Sequence, residues 1–158
     1  MMNNRVILGV IWLSLIGLIY FFVDNIINPN KINRLGDGST VVLKRGTDGH
    51  YRTEALINGE KVDVLVDTGA TGVAISQNIA DKLKLKSIDA VRTNTANGDS
   101  IGYLVRLQSI KIGGVTAENV SAMIAPNLDG DVLLGMSFLG RMDVRLYKGE
   151  MTIKQTNE

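Results

Sequence analysis

An all-β domain behind a single membrane-crossing helix is the fold class that this sequence predicts, on three observations. Residues 6–23 run for 18 positions without a charge. Beyond them come brief runs rich in β-branched and aromatic residues, separated by the turn dipeptides Asp48-Gly49, Asn58-Gly59, Gly113-Gly114 and Lys148-Gly149. Helical spacing of apolar residues is confined to short stretches, so one or two short helices accompany the strands. A closed barrel is the natural arrangement for so many short strands.

At about 1.5 Å per residue, a helix over residues 6–23 (VILGVIWLSLIGLIYFFV) spans about 27 Å, close to the hydrocarbon thickness of a bilayer. Residues 1–24 are therefore expected to be a transmembrane anchor with a short N-terminal flank, touching the lipid bilayer through residues 6–23. A cleaved signal peptide is the competing reading, but small residues at an A-x-A-like spacing are missing after the run, where Asp24-Asn25-Ile26-Ile27 stands. Trp12, Tyr20 and Phe21 suit membrane-embedded or interfacial positions. Arg5 and the terminal amine on one side, with Lys31 and Arg34 on the other, leave the orientation undecided by charge. Residues 25–39, rich in Asn, Gly and Asp with Pro29 among them, are expected to form a tether that buries little surface, and residues 40–158 the domain.

The chain has 17 Lys and Arg against 16 Asp and Glu. Setting aside Arg5, Lys31 and Arg34 on one side and Asp24 and Asp37 on the other leaves 14 of each sign in positions 39–158. The domain is formally neutral, which gives no electrostatic case for binding nucleic acid. The absence of cysteine removes disulfides, thiolate nucleophiles and Cys-based zinc sites, and His50 is the sole histidine. Neither a cofactor nor a metal is expected.

The elements follow in order. Thr40 to Lys44, Tyr51 to Ile57 and Lys61 to Val66 are expected strands forming two successive hairpins around Asp48-Gly49 and Asn58-Gly59, dipeptides that tolerate the positive φ a tight turn requires. Val73 to Ile75 is a further strand. Ser76 is the expected N-cap of a helix over Gln77 to Leu83, on which Ile79 and Leu83 share a face. Strands are expected at Ile88 to Thr93, Ile101 to Ile112 and Val115 to Ala125, the last two joined at Gly113-Gly114. A small helix follows Ser137, and Val144 to Tyr147 with Met151 to Lys154 close the chain around Lys148-Gly149.

Chemistry concentrates where Val62-Asp63-Val64-Leu65-Val66 ends in Asp67-Thr68-Gly69-Ala70-Thr71: an apolar strand breaks into a loop at a lone carboxylate, followed by a hydroxyl and a glycine. Roughly 65 residues later an apolar pair plus glycine, Leu133-Leu134-Gly135, runs into Met136-Ser137-Phe138-Leu139. On these motifs, over roughly Tyr51 to Ile153, the sequence resembles the retropepsin-like aspartic proteases. It is similar in particular to their small membrane-anchored bacterial branch, in which Asp-Thr-Gly-Ala-Thr, an Ala-Asn-Gly segment and Leu-Leu-Gly-Met-Ser-Phe-Leu occur in this order. The resemblance implies a retropepsin-like closed acid-protease barrel with a flap hairpin. With the short N-terminal flank, it also favours a bacterial inner-membrane protein crossing once, its protease domain periplasmic.

Peptide hydrolysis without metal, thiol or serine needs a water made nucleophilic and a carbonyl made electrophilic together. Two carboxylates about 3 Å apart share one proton, so one takes a proton from water while the other donates to the carbonyl oxygen. Asp67 is the candidate catalytic residue. Gly69 lets backbone approach the carboxylate, Ala70 is small for the same reason, and Leu133, Leu134 and Gly135 support the loop from an adjacent strand. The resemblance implies that Thr68 hydrogen-bonds across the pair. Only one Asp-Thr-Gly is present, so the second carboxylate is expected from another copy: a homodimer with Asp67 and its mate on the two-fold axis.

Ala96, Asn97, Gly98 and Asp99 lie about 30 residues after Asp67, between two strand-like runs, where the resemblance places the flap that closes over substrate. Rival readings are weaker. No Walker-type sequence accompanies the Asp67 loop. Gly135-Met136-Ser137-Phe138-Leu139-Gly140 misses the serine-hydrolase elbow by one residue, and Ser137 is better placed to cap a helix. Asp129-Gly130-Asp131 has too few oxygen ligands for calcium and suits a solvated turn. The expectation is thus a membrane-anchored aspartic endopeptidase acting on peptide or protein substrates; the alternative is a catalytically idle module of the same fold that binds peptides or scaffolds a membrane complex.

Overall fold

The structure is a computed structural model that describes residues 4–27, 30, 38–95 and 98–156. Helix α1 (Asn4–Ile27) is apolar on all sides, with its large side chains exposed. The stretch Arg5–Asp24 has a mean hydropathy of 2.6 and none of it is buried, which suits a membrane span or a signal sequence alike.

Among the described residues, ten strands and two short helices follow: β1 (Thr40–Lys44), β2 (Tyr51–Ile57), β3 (Glu60–Val66), β4 (Val73–Ile75), α2 (Gln77–Lys82), β5 (Asp89–Thr95), β6 (Gly98–Ile112), β7 (Val115–Ile124), β8 (Val132–Leu134), α3 (Met136–Leu139), β9 (Met142–Tyr147) and β10 (Glu150–Gln155). Strands β2, β3, β8, β4, β7 and β6 are neighbours in that order, and β2 pairs back onto β6 through Leu56↔Lys111 and Ile57↔Ile110. The predicted closed barrel is therefore present, with six strands. Period-two alternation fills it: β3 sends Val62, Val64 and Val66 inward, and the core is completed by Leu107, Ile110, Val120, Leu134 and Phe138.

Closure depends on one turn. Asn58 (φ 51°) and Gly59 (φ 86°) take the left-handed conformation between β2 and β3. Asn58 Oδ1 accepts the N–H groups of Gln108 (2.8 Å) and Ser109 (3.2 Å), and its own N–H donates to Ser109 O (3.0 Å). The turn thus binds the strand on which the ring closes.

Two expectations change. The first hairpin does not form: β1 pairs antiparallel with β10, Val41 facing Ile153 and Leu43 facing Met151, and β9 adds to the far side of β10 as a separate three-stranded sheet. Val41 and Leu43 are fully buried beside Met151 and Ile153, so the pairing brings the apolar faces of both strands into the core. The Asp48-Gly49 turn closes locally, Gly46 N–H donating to His50 O (2.7 Å). Ser76 holds the N-cap position of α2 in an extended conformation, but its hydroxyl makes no cap bond. It is buried as the chain passes from β4 straight into α2, without a partner among the described residues.

Candidate active site

Strands β3 and β8 lie parallel, with Val66 level with Leu134, so the residues that follow each strand leave the sheet side by side. Asp67 N–H donates to Leu134 O (3.0 Å), extending the ladder by one bond. The chain then turns within a residue. Gly69 N–H donates to Asp67 Oδ1 (2.8 Å), and Ala70 N–H to Asp67 O (3.3 Å), which fixes the carboxylate of a half-buried Asp67 over its own loop. Thr68 and Gly69 are exposed and Ala70 is half-buried, so this loop presents the acid at the surface.

The second predicted motif meets it there. Leu133 is half-buried on the outer side of β8 and Leu134 fully buried inside the barrel, while Gly135 precedes α3. Met136 N–H donates to Ala70 O (2.8 Å) and Ser137 N–H to Thr71 O (3.1 Å), strapping the Asp67 loop to the first turn of α3. Residues roughly 65 apart in sequence, the Asp67 loop and Leu133-Leu134-Gly135, are thereby brought together.

Ser137 departs from expectation. Gly135, with no side chain to cap, occupies the N-cap of α3, and Ser137 lies inside the helix. Its Oγ accepts the Val73 N–H (3.0 Å) and donates to Ser121 O (3.1 Å), tying β4 to β7. A hydroxyl so engaged suits a structural tie rather than a nucleophile, and His50 is exposed in its turn. Sequence reasoning missed this tie because a serine at the start of a helix carries the same signal whether it caps or crosses to a neighbouring strand.

Strands β5 and β6 form an antiparallel hairpin in which Thr95 faces Gly98 and Asn94 faces Asp99. Pairing of β6 with β7 begins only at Tyr103, so residues 98–102 are paired with β5 alone and the hairpin extends past the β6–β7 ladder as a two-stranded arm. Of the predicted flap residues, Gly98 and Asp99 open β6; Ala96 and Asn97 lie outside the described residues.

A cavity of about 720 Å³ lies on the outer face of β2, β3 and β8, lined by Asn30, Lys44, Arg52, Asp63, Leu65 and Leu133 among others, and Asp67 is not part of its wall. At its rim Asp48 is held below the usual carboxylate range, first by the His50 N–H and then by the Arg52 guanidinium. Asp67 is half-buried outside this cavity, next to the exposed Thr68 and Gly69.

A six-stranded β barrel that carries an Asp-Thr-Gly loop at the end of one strand and straps it to a parallel apolar-Gly strand defines an acid-protease fold. The chain belongs to the family described as "gag-polyprotein putative aspartyl protease", whose model matches residues 53–141. Among solved structures it is similar to a retropepsin-like aspartic protease from Rickettsia conorii, with 27% identity and a TM-score of 0.62 over 73% of this chain and 89% of that one. It also shares the fold of an equine infectious anaemia virus protease complexed with an inhibitor, with 21% identity and a TM-score of 0.52 over 60% of this chain and 88% of that one. Two uncharacterized bacterial proteins match as well. One, from Sinorhizobium sp, is 38% identical over 66% of this chain and 46% of its own length; the other, from Rickettsia prowazekii, is 36% identical over 64% and 45%. The chain thus spans about half the length of these curated relatives.

Proposed function

We propose that this protein is a membrane-anchored aspartic endopeptidase in which the Asp67 carboxylates of two copies activate one water. The observation that carries the reading is the placement of Asp67: an acid at the end of a barrel strand, oriented by the Gly69 N–H, on a loop that faces open surface with one carboxylate per chain. A two-fold axis passing beside Asp67 brings two such acids together from a single motif. One then takes a proton from water as the other protonates the scissile carbonyl. Thr68, exposed next to Asp67, bonds across the pair; Gly69 and Ala70 keep the loops close; Leu133, Leu134 and Gly135 support them. Residues 96–99 close over an extended peptide, which a hairpin arm binds through backbone hydrogen bonds. Helix α1 remains in a bacterial inner membrane and the domain stands on the periplasmic side. Confinement to the bilayer raises the effective concentration of the two protomers.

Mixing tests the pair. Asp67→Asn alone is expected to lower peptide hydrolysis by at least about 10³-fold, with circular dichroism unchanged. When equal amounts of wild type and Asp67→Asn exchange subunits, the rate should fall to about one quarter of that of wild type at the same total concentration, because only wild-type pairs hold two acids. A fall to one half would remove the pairing, and undiminished cleavage by Asp67→Asn would remove Asp67. If neither protein cleaved a diverse peptide library, the idle peptide-binding module would be favoured.

A further inference from the structure

Between α1 and the barrel, Asn30 is docked. Asn30 stands three residues beyond the end of α1 and is 7% exposed. Its Nδ2 donates to the carbonyl oxygens of Lys44 (2.8 Å) and Arg52 (3.0 Å), its Oδ1 accepts the Lys44 N–H (2.9 Å), and its own carbonyl accepts the Thr53 hydroxyl (2.6 Å). Lys44 ends β1 and Arg52 lies in β2, strands of two separate sheets. One side-chain amide supplies the bonds that a strand pairing would otherwise make, and it fastens the chain at Asn30 to both sheets at once.

We propose that Asn30 is a clasp that holds the domain at a fixed, short height above the bilayer, so that its substrates are the membrane-proximal segments of other anchored polypeptides. The inference rests on the peptidase reading above and on α1 staying in the membrane. From Ile27 to Asn30 the chain spans at most about 11 Å. Thr53, bonded to Asn30, faces Val64, and Val64 precedes Asp67 by three residues, or roughly 10 Å along β3. With one strand spacing added, Asp67 lies no farther than roughly 30 Å from the end of α1, the length of about nine extended residues. An undocked segment from Ile27 to Thr40 would reach about 45 Å and set no height. A fixed height makes local substrate concentration greatest for scissile bonds whose own linker matches it.

The test uses the full chain in liposomes with a ladder of membrane-anchored reporters, their cleavable site about 5, 10, 20 or 40 residues from the reporter's helix, beside the same peptide free in solution. Wild type should prefer the site near 10 residues by about tenfold over that near 40. Ten Gly and Ser residues inserted between Ile27 and Asn30, which leave the clasp intact, should move the optimum outward. Asn30→Ala should flatten it, and all three proteins should cut the free peptide within about twofold of one another. A ladder profile unchanged by the insertion, with the free peptide still cut, would overturn the clasp alone. Failure of wild type to cut the free peptide would overturn the peptidase reading, and this substrate class with it.

Discussion

A Cβ on Gly135 would stand 2.5 Å from the carbonyl oxygen of Ala70, and nearer still to that of Gly72. The segment leaving β8 and the loop leaving β3 therefore pass backbone against backbone, and the Met136 N–H bond to Ala70 O keeps them there. Gly135→Ala forces two main chains apart. It should cost about 1–3 kcal/mol in urea unfolding with an unchanged m value, and lower hydrolysis in proportion to the fraction that unfolds. Gly69→Ala meets the Asp67 carboxylate, with Oδ1 nearest at 3.2 Å, and no backbone, so it should spare stability and act mainly on turnover.

Closure of the barrel at β2 and β6 predicts a separate effect. Asn58→Gly keeps a residue that accepts φ 51° but removes the acceptor for the Gln108 and Ser109 N–H groups. A loss of about 1–3 kcal/mol is expected, with hydrogen exchange rising first at those two amides. Asn58→Ala adds backbone strain and should be worse.

Ser76 distinguishes a working cap from an apparent one. Had its hydroxyl capped α2, Ser76→Ala would cost about 0.5–2 kcal/mol. Because that hydroxyl is buried without a partner among the described residues, the substitution should be neutral or raise the melting temperature.

Ser137→Ala leaves the Val73 N–H unpaired and releases Ser121 O. Thermal unfolding should show a loss of about 1–3 kcal/mol, whereas kcat per folded enzyme should stay within a few-fold. A serine nucleophile would give the opposite split.

Most strands were legible because each announces itself locally, by alternation and by a turn dipeptide at its end: β2 and β4 begin and end where the residues predict, and Lys148 and Gly149 take the positive φ that a tight turn needs. The partner of β1 was not legible. Asp48-Gly49 suggested the nearest strand, whereas Val41 and Leu43 pair with residues roughly 110 positions away, a choice made by core packing. Serines misled for a related reason, since capping is a matter of geometry. Asn30 lay hidden in a polar stretch because hydropathy counts apolar area and gives no weight to one amide that satisfies three backbone groups. The Asp67 loop and its support were legible because close backbone approach demands glycine and small residues, which leave a written trace.

Strand β8 sits between β3 and β4, although both are synthesised some sixty residues earlier. A chain still emerging from the ribosome therefore has a slot where β8 belongs, and Asp67 lacks the Leu134 carbonyl that anchors its N–H until that slot is filled. The Asp67 loop is thus completed only once residues 132–136 have been made, and a copy cut short before β8 lacks the bonds that hold it in place.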